Sequence, residues 1–256
     1  MLRVRLLGPL EADVAGRSVE QPASSRAWEL LAWLALHPGE HPRGTLAARF
    51  WPDVLDASAR ASLRSAAWAL RRALGPDGAD ALVAGRDRVG LRCSTDLQEL
   101  DELMARDALA AAAALFRGPL LADLDQDWVL EERDRQTARL SAMLARLAQE
   151  APTPALAVGH ARRRLELDPL DEAAARDLME HHAANGDRAA ALAVHDRLAV
   201  RLRTQLGLAP SAETRATAAR RSLPVVRARP PRASRRGAPL RTRACRGRAT
   251  LRRASA

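Results

Sequence analysis

DASARASLRSAAWALRRAL, residues 56–74, is the stretch on which the interpretation of the whole chain depends. Its apolar side chains recur at three- and four-residue steps, so they share one stripe of a helix. The members of this stripe are Leu63, Ala66, Ala67, Leu70 and Leu74. Arg and Ser occupy the other faces, and no acid follows Asp56. The pattern predicts a helix over residues 57–74 with Asp56 as its N-cap.

This helix has two interpretations. A helix that is apolar on one side and rich in Arg and Ser on the other fits the major groove of DNA. The same pattern fits an ordinary surface helix with a solvated basic face. The helix alone favours the interpretation as a solvated surface helix. The neighbouring elements of the chain are therefore needed to choose between the two interpretations.

Composition limits the possible fold classes, and the distribution of charge weakens the argument for DNA binding from the net charge. The 256 residues allow one or two domains, and an apolar fraction of 47% with two Phe and no Tyr favours helix. All 41 basic residues are Arg, and the net charge is +10. Residues 1–92 hold 13 Arg and 10 acids, residues 93–222 hold 17 and 21, and residues 223–256 hold 11 and none. The basic charge therefore belongs mainly to the last segment.

Cysteine usage and hydropathy predict a cytoplasmic protein without membrane contact. Cys93 and Cys245 lie far apart, and no Cys-x-x-Cys pair occurs. Apolar and basic residues alternate over residues 2–5, whereas a signal peptide would have a continuous apolar core. No apolar run has the length needed to span a bilayer.

Residues 1–92 follow the order of a winged helix-turn-helix domain. The expected elements are strands at 2–7, 10–14 and 18–20, helices at 25–37, 45–51 and 57–74, and a hairpin at 81–92. A short loop joins the second and third helices, and the hairpin turn carries Arg86 and Arg88. A solvated surface helix does not predict these neighbours, so the context favours DNA binding through the third helix.

Residues 93–222 are expected to form an all-α, tetratricopeptide-like domain, which makes the fold mainly α. The expected helices span 96–116, 127–149, 154–167, 171–185, 188–206 and 211–221. A faint repeat, offset by 41 residues, relates Leu167-Asp168-Pro169 to Leu208-Ala209-Pro210. The Arg- and Pro-rich residues 223–256 are predicted to be a disordered tail. That tail is open to two interpretations: a nucleic-acid-binding segment, or a non-native end such as a shifted reading frame.

An ordered set of motifs resembles one bacterial family. The set comprises Gly16-Arg17-Ser18-Val19, residues 30–39, residues 46–53, residues 63–74, Asp96, residues 116–121, Trp128 with Glu132-Arg133, residues 163–172 and residues 206–210. With these motifs, residues 2–221 resemble the SARP-type antibiotic regulatory proteins. These are transcriptional activators with an OmpR-like winged helix and a bacterial transcriptional activation domain. Leu100 and His195 depart from the aromatic residues common in the family.

The resemblance implies the function and the partners. A SARP-type activator binds double-stranded DNA at promoter direct repeats, often as side-by-side subunits that associate on the DNA. Its helical domain helps to recruit RNA polymerase. The resemblance also implies that residues 63–74 match the groove-reading helix of the family.

The candidate DNA-binding residues lie on the third helix, on the wing and at the start of the second helix. They are Arg60, Arg64, Ser65, Trp68, Arg71, Arg72, Arg86, Arg88 and Arg43. Arg can donate two hydrogen bonds to guanine, and Ser and Trp can contact a base, sugar or phosphate. Trp68 could instead be buried in the core. Arg43 could instead be an exposed residue without a DNA contact.

Other functions have weaker support. The sequence contains no P-loop, and Gly85 to Gly90 lacks both the spacing and the strand-to-helix context of a dinucleotide-binding turn. Asp177 and His181 lie one helical turn apart without a third metal ligand on that face. We therefore expect no enzyme activity, no catalytic residue, no metal and no cofactor. The remaining alternative is a tetratricopeptide-like scaffold or signalling module in which the winged helix is only structural.

Overall fold

Alternating apolar residues at the N-terminus form the first sheet of the computed structural model, which describes residues 1–222. Strand β1 spans Leu2–Arg5, β2 spans Glu11–Val14 and β3 spans Arg17–Ser18. They pair antiparallel, as predicted, in the order β3-β2-β1. A fourth strand, β7 at Ser94–Thr95, pairs parallel to β1 and brings the start of the helical half onto this sheet.

Three helices follow where the periodicity places them. Helix α1 spans Ser25–Leu36, α2 spans Arg43–Phe50 and α3 spans Asp56–Leu74. The prediction of Asp56 as N-cap is wrong, because Leu55 occupies the N-cap position and Asp56 is already helical. The Asp56 carboxylate instead lies 2.9 Å from Arg60 Nε, one turn along the helix.

The predicted hairpin is part of a three-stranded sheet that we call the wing. Strands β5 (Leu82–Ala84) and β6 (Arg88–Leu91) form the hairpin, and β4 (Gly39–Pro42) pairs with the other edge of β6. The sequence did not indicate β4, because Gly39 and Pro42 are turn signals and no apolar alternation lies between them. Gly90 makes the pairing feasible, since a Cβ there would lie 2.5 Å from the Gly39 carbonyl oxygen.

The helical half begins with α4 at Asp96–Ala105. It continues with α5 (Leu109–Ala114), α6 (Asp127–Gln149), α7 (Pro154–Leu167), α8 (Glu172–Ala184), α9 (Arg188–Leu206) and α10 (Ala212–Ser222). The prediction of one helix over residues 96–116 is wrong. Asp107 has a left-handed φ of 57° and ends the first helical piece, and its carboxylate binds Arg146 on α6 at 2.8 and 3.0 Å. The mainly α fold class is confirmed.

The buried side chains form two hydrophobic clusters within residues 1–222. The first runs from Leu2 to Leu144 and joins both sheets, α1 to α5 and most of α6. The second begins at Ala148 near the end of α6 and is built by α7 to α10. The predicted domain boundary between residues 92 and 93 stays a prediction. The two hydrophobic clusters meet on α6, between Leu144 and Ala148. The predicted disorder of residues 223–256 lies outside the described residues.

Asp96 joins the helical half to the first strand. Its carboxylate accepts hydrogen bonds from the backbone N–H groups of Leu6 (2.8 and 2.9 Å) and Leu7 (2.9 Å). The residue is 3% exposed. Burial raises the pKa of Asp96, although the backbone hydrogen bonds and the nearby Arg117 oppose this shift. None of the described helices is long and apolar enough to cross a bilayer.

We expect Asp96→Ala to lower the free energy of unfolding by about 3 kcal/mol or more. The change leaves two buried backbone N–H groups without an acceptor, and each costs about 1–3 kcal/mol. Urea unfolding measures the loss. Glu99→Ala is the matched control, because Glu99 lies on the same helix and loses only a half-exposed ion pair with Arg3. Equal losses in the two variants would contradict the proposed role of Asp96.

We expect the helical half to lose stability as the pH falls through the range just below about 6.5. His182 on α8 is buried, and this burial lowers its pKa below the ordinary value. Arg162 and Arg197 lower the pKa further, while Asp187 opposes them. The folded chain therefore binds the His182 proton less readily than the unfolded chain, so protonation favours unfolding.

Urea unfolding at several pH values, with His182→Gln beside the wild type, measures this dependence. We expect His182→Gln to have a shallower loss of stability toward low pH, since its side chain does not titrate. His181→Gln, the adjacent residue, is the control and should retain the wild-type dependence. An unchanged dependence in His182→Gln would show that this histidine is not responsible.

Candidate nucleic-acid interface

The outward face of α3 carries Ser65, Trp68 and Arg72. Leu63 and Leu70 on the opposite side of the helix are completely buried. At 100° per residue, the three outward residues lie nearly opposite those leucines. Trp68 is 64% exposed, so its alternative assignment to the core is wrong. The exposed indole therefore belongs to the surface that α3 presents to solvent.

Trp68 and Arg72 contact each other on this face. The Arg72 Cζ atom lies 5.5 Å from the centre of the Trp68 ring, one helical turn away. A guanidinium over an indole face is attracted by the ring, and its N–H edges stay available to hydrogen-bond acceptors. The pair thus holds a cation and an aromatic surface side by side.

The other arginines of α3 differ in their partners. Arg60 is ion-paired with Asp56, and Arg71 donates from Nη2 to the Leu82 carbonyl oxygen of the wing at 3.1 Å. The Arg64 side chain is exposed, and its guanidinium makes neither a hydrogen bond nor an ion pair with residues 1–222. Arg64 and Arg72 are therefore the guanidinium groups of α3 most available to an external acceptor.

The arginines of the wing region are of two kinds: some bind backbone carbonyl groups of the wing, and one is free to bind an external partner. Arg43 donates from Nε to the Gly85 carbonyl oxygen at 3.0 Å, and its backbone N–H donates to the Asp87 carbonyl oxygen at 2.9 Å. Arg88 donates to the Glu40 carbonyl oxygen of β4. Arg86 is exposed at the turn, and no partner is recorded for it in the described part of the chain. Arg43 and Arg88 therefore hold the wing turn in place, whereas Arg86 is presented to solvent.

Two arginines beside α3 were not singled out from the sequence. Arg26 at the start of α1 lines a hollow with Ser65 and Trp68, and Arg17 in β3 lines a second hollow with Trp68 and Arg72. Both arginines are exposed. Periodicity could not bring them to α3, because their proximity results from tertiary packing.

The metal alternative has no support in the geometry. Asp177 is ion-paired with Arg164 of α7, and His182 is buried. No group of three or more His, Cys, Asp or Glu side chains suited to a metal occurs among residues 1–222.

Comparison with known proteins places the helical half in a family. The model of the bacterial transcriptional activator domain family matches residues 91–220. Among solved structures, Mycobacterium tuberculosis EmbR in complex with a low-affinity phosphopeptide matches with a TM-score of 0.63 and 22% identity. This match covers 86% of the present chain and 64% of the EmbR chain, and it shows a shared fold. Comparison with curated proteins gives no match.

We expect Arg43→Ala to loosen the wing turn without unfolding the domain. The change removes the side-chain bond to Gly85, worth about 0.5–1.5 kcal/mol, so the Gly85 amide should exchange about two to ten times faster. Hydrogen exchange measured by NMR or mass spectrometry tests this expectation. Arg49→Ala on the same helix is the control, because Arg49 lies over the Trp33 ring and not against the wing. Unchanged exchange at the turn would mean that Arg43 does not brace it.

Proposed function

Because the chain belongs to the family of the bacterial transcriptional activator domain, we propose that it binds promoter DNA sequence-specifically through α3 and the wing. The resemblance to SARP-type activators noted in the sequence agrees with this membership. The family comprises transcriptional regulators and not enzymes. In this proposal α3 enters the major groove, and the wing contacts the adjacent minor groove or its phosphates.

The outward face of α3 carries the proposal. Arg72 and Arg64 have guanidinium donors without a protein acceptor among the described residues, and these donors match the O6 and N7 acceptors of guanine. Ser65 can bind a base edge or a phosphate, and the exposed Trp68 ring can pack on a sugar or a thymine methyl group. A surface helix with only a structural role would not need an indole that is 64% exposed.

The wing supports the same proposal. Arg86 is placed at an exposed turn whose neighbours are braced by Arg43 and Arg88. A cation on a fixed turn can bind a phosphate with little loss of conformational entropy. The ion-paired Arg60 and the wing-bound Arg71 are proposed to contribute through the basic potential and the position of the wing.

The helical half is proposed to contact RNA polymerase, and adjacent subunits are proposed to associate on promoter direct repeats. The family membership supports the first idea. Helices α7 to α10 pack as successive neighbours, and such arrays offer extended surfaces to protein partners. The alternative of a scaffold whose winged helix is only structural leaves Trp68, Arg72 and Arg86 without a role.

In vitro selection from random duplexes tests sequence-specific binding. The polypeptide ending at Ser222 should be used beside the full chain, because the last 34 residues add 11 arginines and no acid. We expect both proteins to enrich the same DNA motif and to shift it in a gel at moderate salt. If the shorter protein enriches no motif, sequence-specific binding by α3 and the wing is wrong.

We expect Arg72→Ala and Arg86→Ala to have different effects on binding. Loss of a guanine contact by Arg72→Ala should weaken binding to the selected motif by roughly 1–3 kcal/mol and leave binding to random DNA much less affected. Loss of a phosphate contact by Arg86→Ala should weaken both alike. Fluorescence anisotropy with the motif and with a scrambled duplex measures both. Equal specificity losses in the two variants would overturn these assignments.

A further inference from the structure

The flank of α3 that faces away from the wing has its own basic border. Arg71 lies on the wing side of the helix, where it donates to Leu82. Ala69 lies on the opposite flank, and both hollows beside α3 reach it. Arg26 lines the first hollow and Arg17 lines the second. Basic side chains therefore border both flanks of the proposed groove-reading helix.

Arg26 is fixed in place by a buried acid. Its Nη1 atom donates to Glu29 Oε2 at 2.6 Å, and the Glu29 side chain is 6% exposed while that of Arg26 is 47% exposed. This bond uses one of the five N–H donors of the guanidinium. Arg26 lines the hollow that also contains Ser62 and Ser65.

Arg17 extends this border toward the end of α3. A Cβ atom at Gly75, which ends the helix, would lie 2.8 Å from Arg17 Nη2. The guanidinium therefore lies beside the C-terminus of α3, and Arg17 and Arg72 both line the second hollow. Glu20 also lines this hollow and is the opposing charge there.

The width of the major groove gives this border a use. An α-helix is about 10–12 Å across and the groove is about 12 Å wide, so a helix in the groove has a phosphate backbone along each side. The wing serves one side. We propose that Arg26 and Arg17 bind backbone phosphates on the other side, so that α3 is clamped between two phosphate-binding edges.

This inference rests on the proposed binding of DNA by α3, and the test separates the two. Arg26→Ala/Glu29→Gln in the full chain removes the guanidinium and retains the net charge. The control with the same two exchanges is Arg106→Ala/Glu102→Gln, which removes an exposed i,i+4 ion pair of the helical half. Binding to the selected motif and to a scrambled duplex of equal length is measured across a salt series. The Arg-rich tail is present in every variant, so its contribution cancels.

We expect the Arg26 double variant to bind both duplexes roughly two to ten times more weakly, the range for one lost hydrogen bond. The slope of log K against log salt should fall by about 0.9. Arg17→Ala should lower the slope similarly, and Glu20→Gln should strengthen binding. Thermal unfolding checks that each variant is folded, and Arg26→Lys, which keeps both the charge and the Glu29 partner, should retain the slope.

Ethylation interference locates the contact. Ethyl groups on the phosphates across the groove from the wing should weaken the wild type. The Arg26 double variant should lose the effect at the phosphate that Arg26 binds and keep it at the phosphate that Arg17 binds. The Arg26 double variant could bind with the affinity and the salt dependence of the Arg106 control while the wild type prefers its motif. In that case the proposed phosphate contacts away from the wing are wrong, and the proposed function stands. If the wild type shows no motif preference, the proposed function and these phosphate contacts both fail.

Discussion

Burial of one apolar stripe of α3 determines how this helix is oriented in the domain. Leu63, Leu70 and Leu74 are completely buried, and each contributes roughly 1.5–3 kcal/mol through removal from water. Because a helix rotates by 100° per residue, this burial fixes the direction of every other side chain on α3. Trp68 and Arg72 therefore point into solvent. The apolar core thus determines which groups the helix offers to a partner.

The neighbours of α3 convert this helix into a shaped surface. Arg71 ties the helix to β5, and Arg43 ties the start of α2 to the wing turn. Asp96 connects the segment after β1 to the helical half by accepting hydrogen bonds from the backbone N–H groups of Leu6 and Leu7. Several charged side chains that appear unpaired in the sequence are therefore hydrogen-bonded within the protein. What remains available is a small set dominated by Arg64, Arg72 and Arg86.

Periodicity predicted most of the helices because each one buries a stripe. The bounds of α6 and α7 agree with the sequence, and the hairpin of the wing was expected from its two short apolar strands. The sequence failed at β4, whose pairing with β6 is a tertiary contact, and at Asp107, where one left-handed residue divides a helix-like pattern. For the candidate interface, the sequence singled out nine residues, among them Arg72 and Arg86, but it could not distinguish arginines that bind other parts of the protein from those that stay available. Trp68 illustrates the limit, since only the packing showed that it is exposed.

We propose that α3 lies in the major groove with its outward face on the bases. Dimethyl sulfate methylates guanine N7 in that groove, so protection of this atom by the bound protein is a direct test. With the selected duplex, we expect protected guanines at the enriched positions and loss of at least one protection in Arg72→Ala. Unprotected guanines throughout the enriched positions, with tight binding retained, would contradict it.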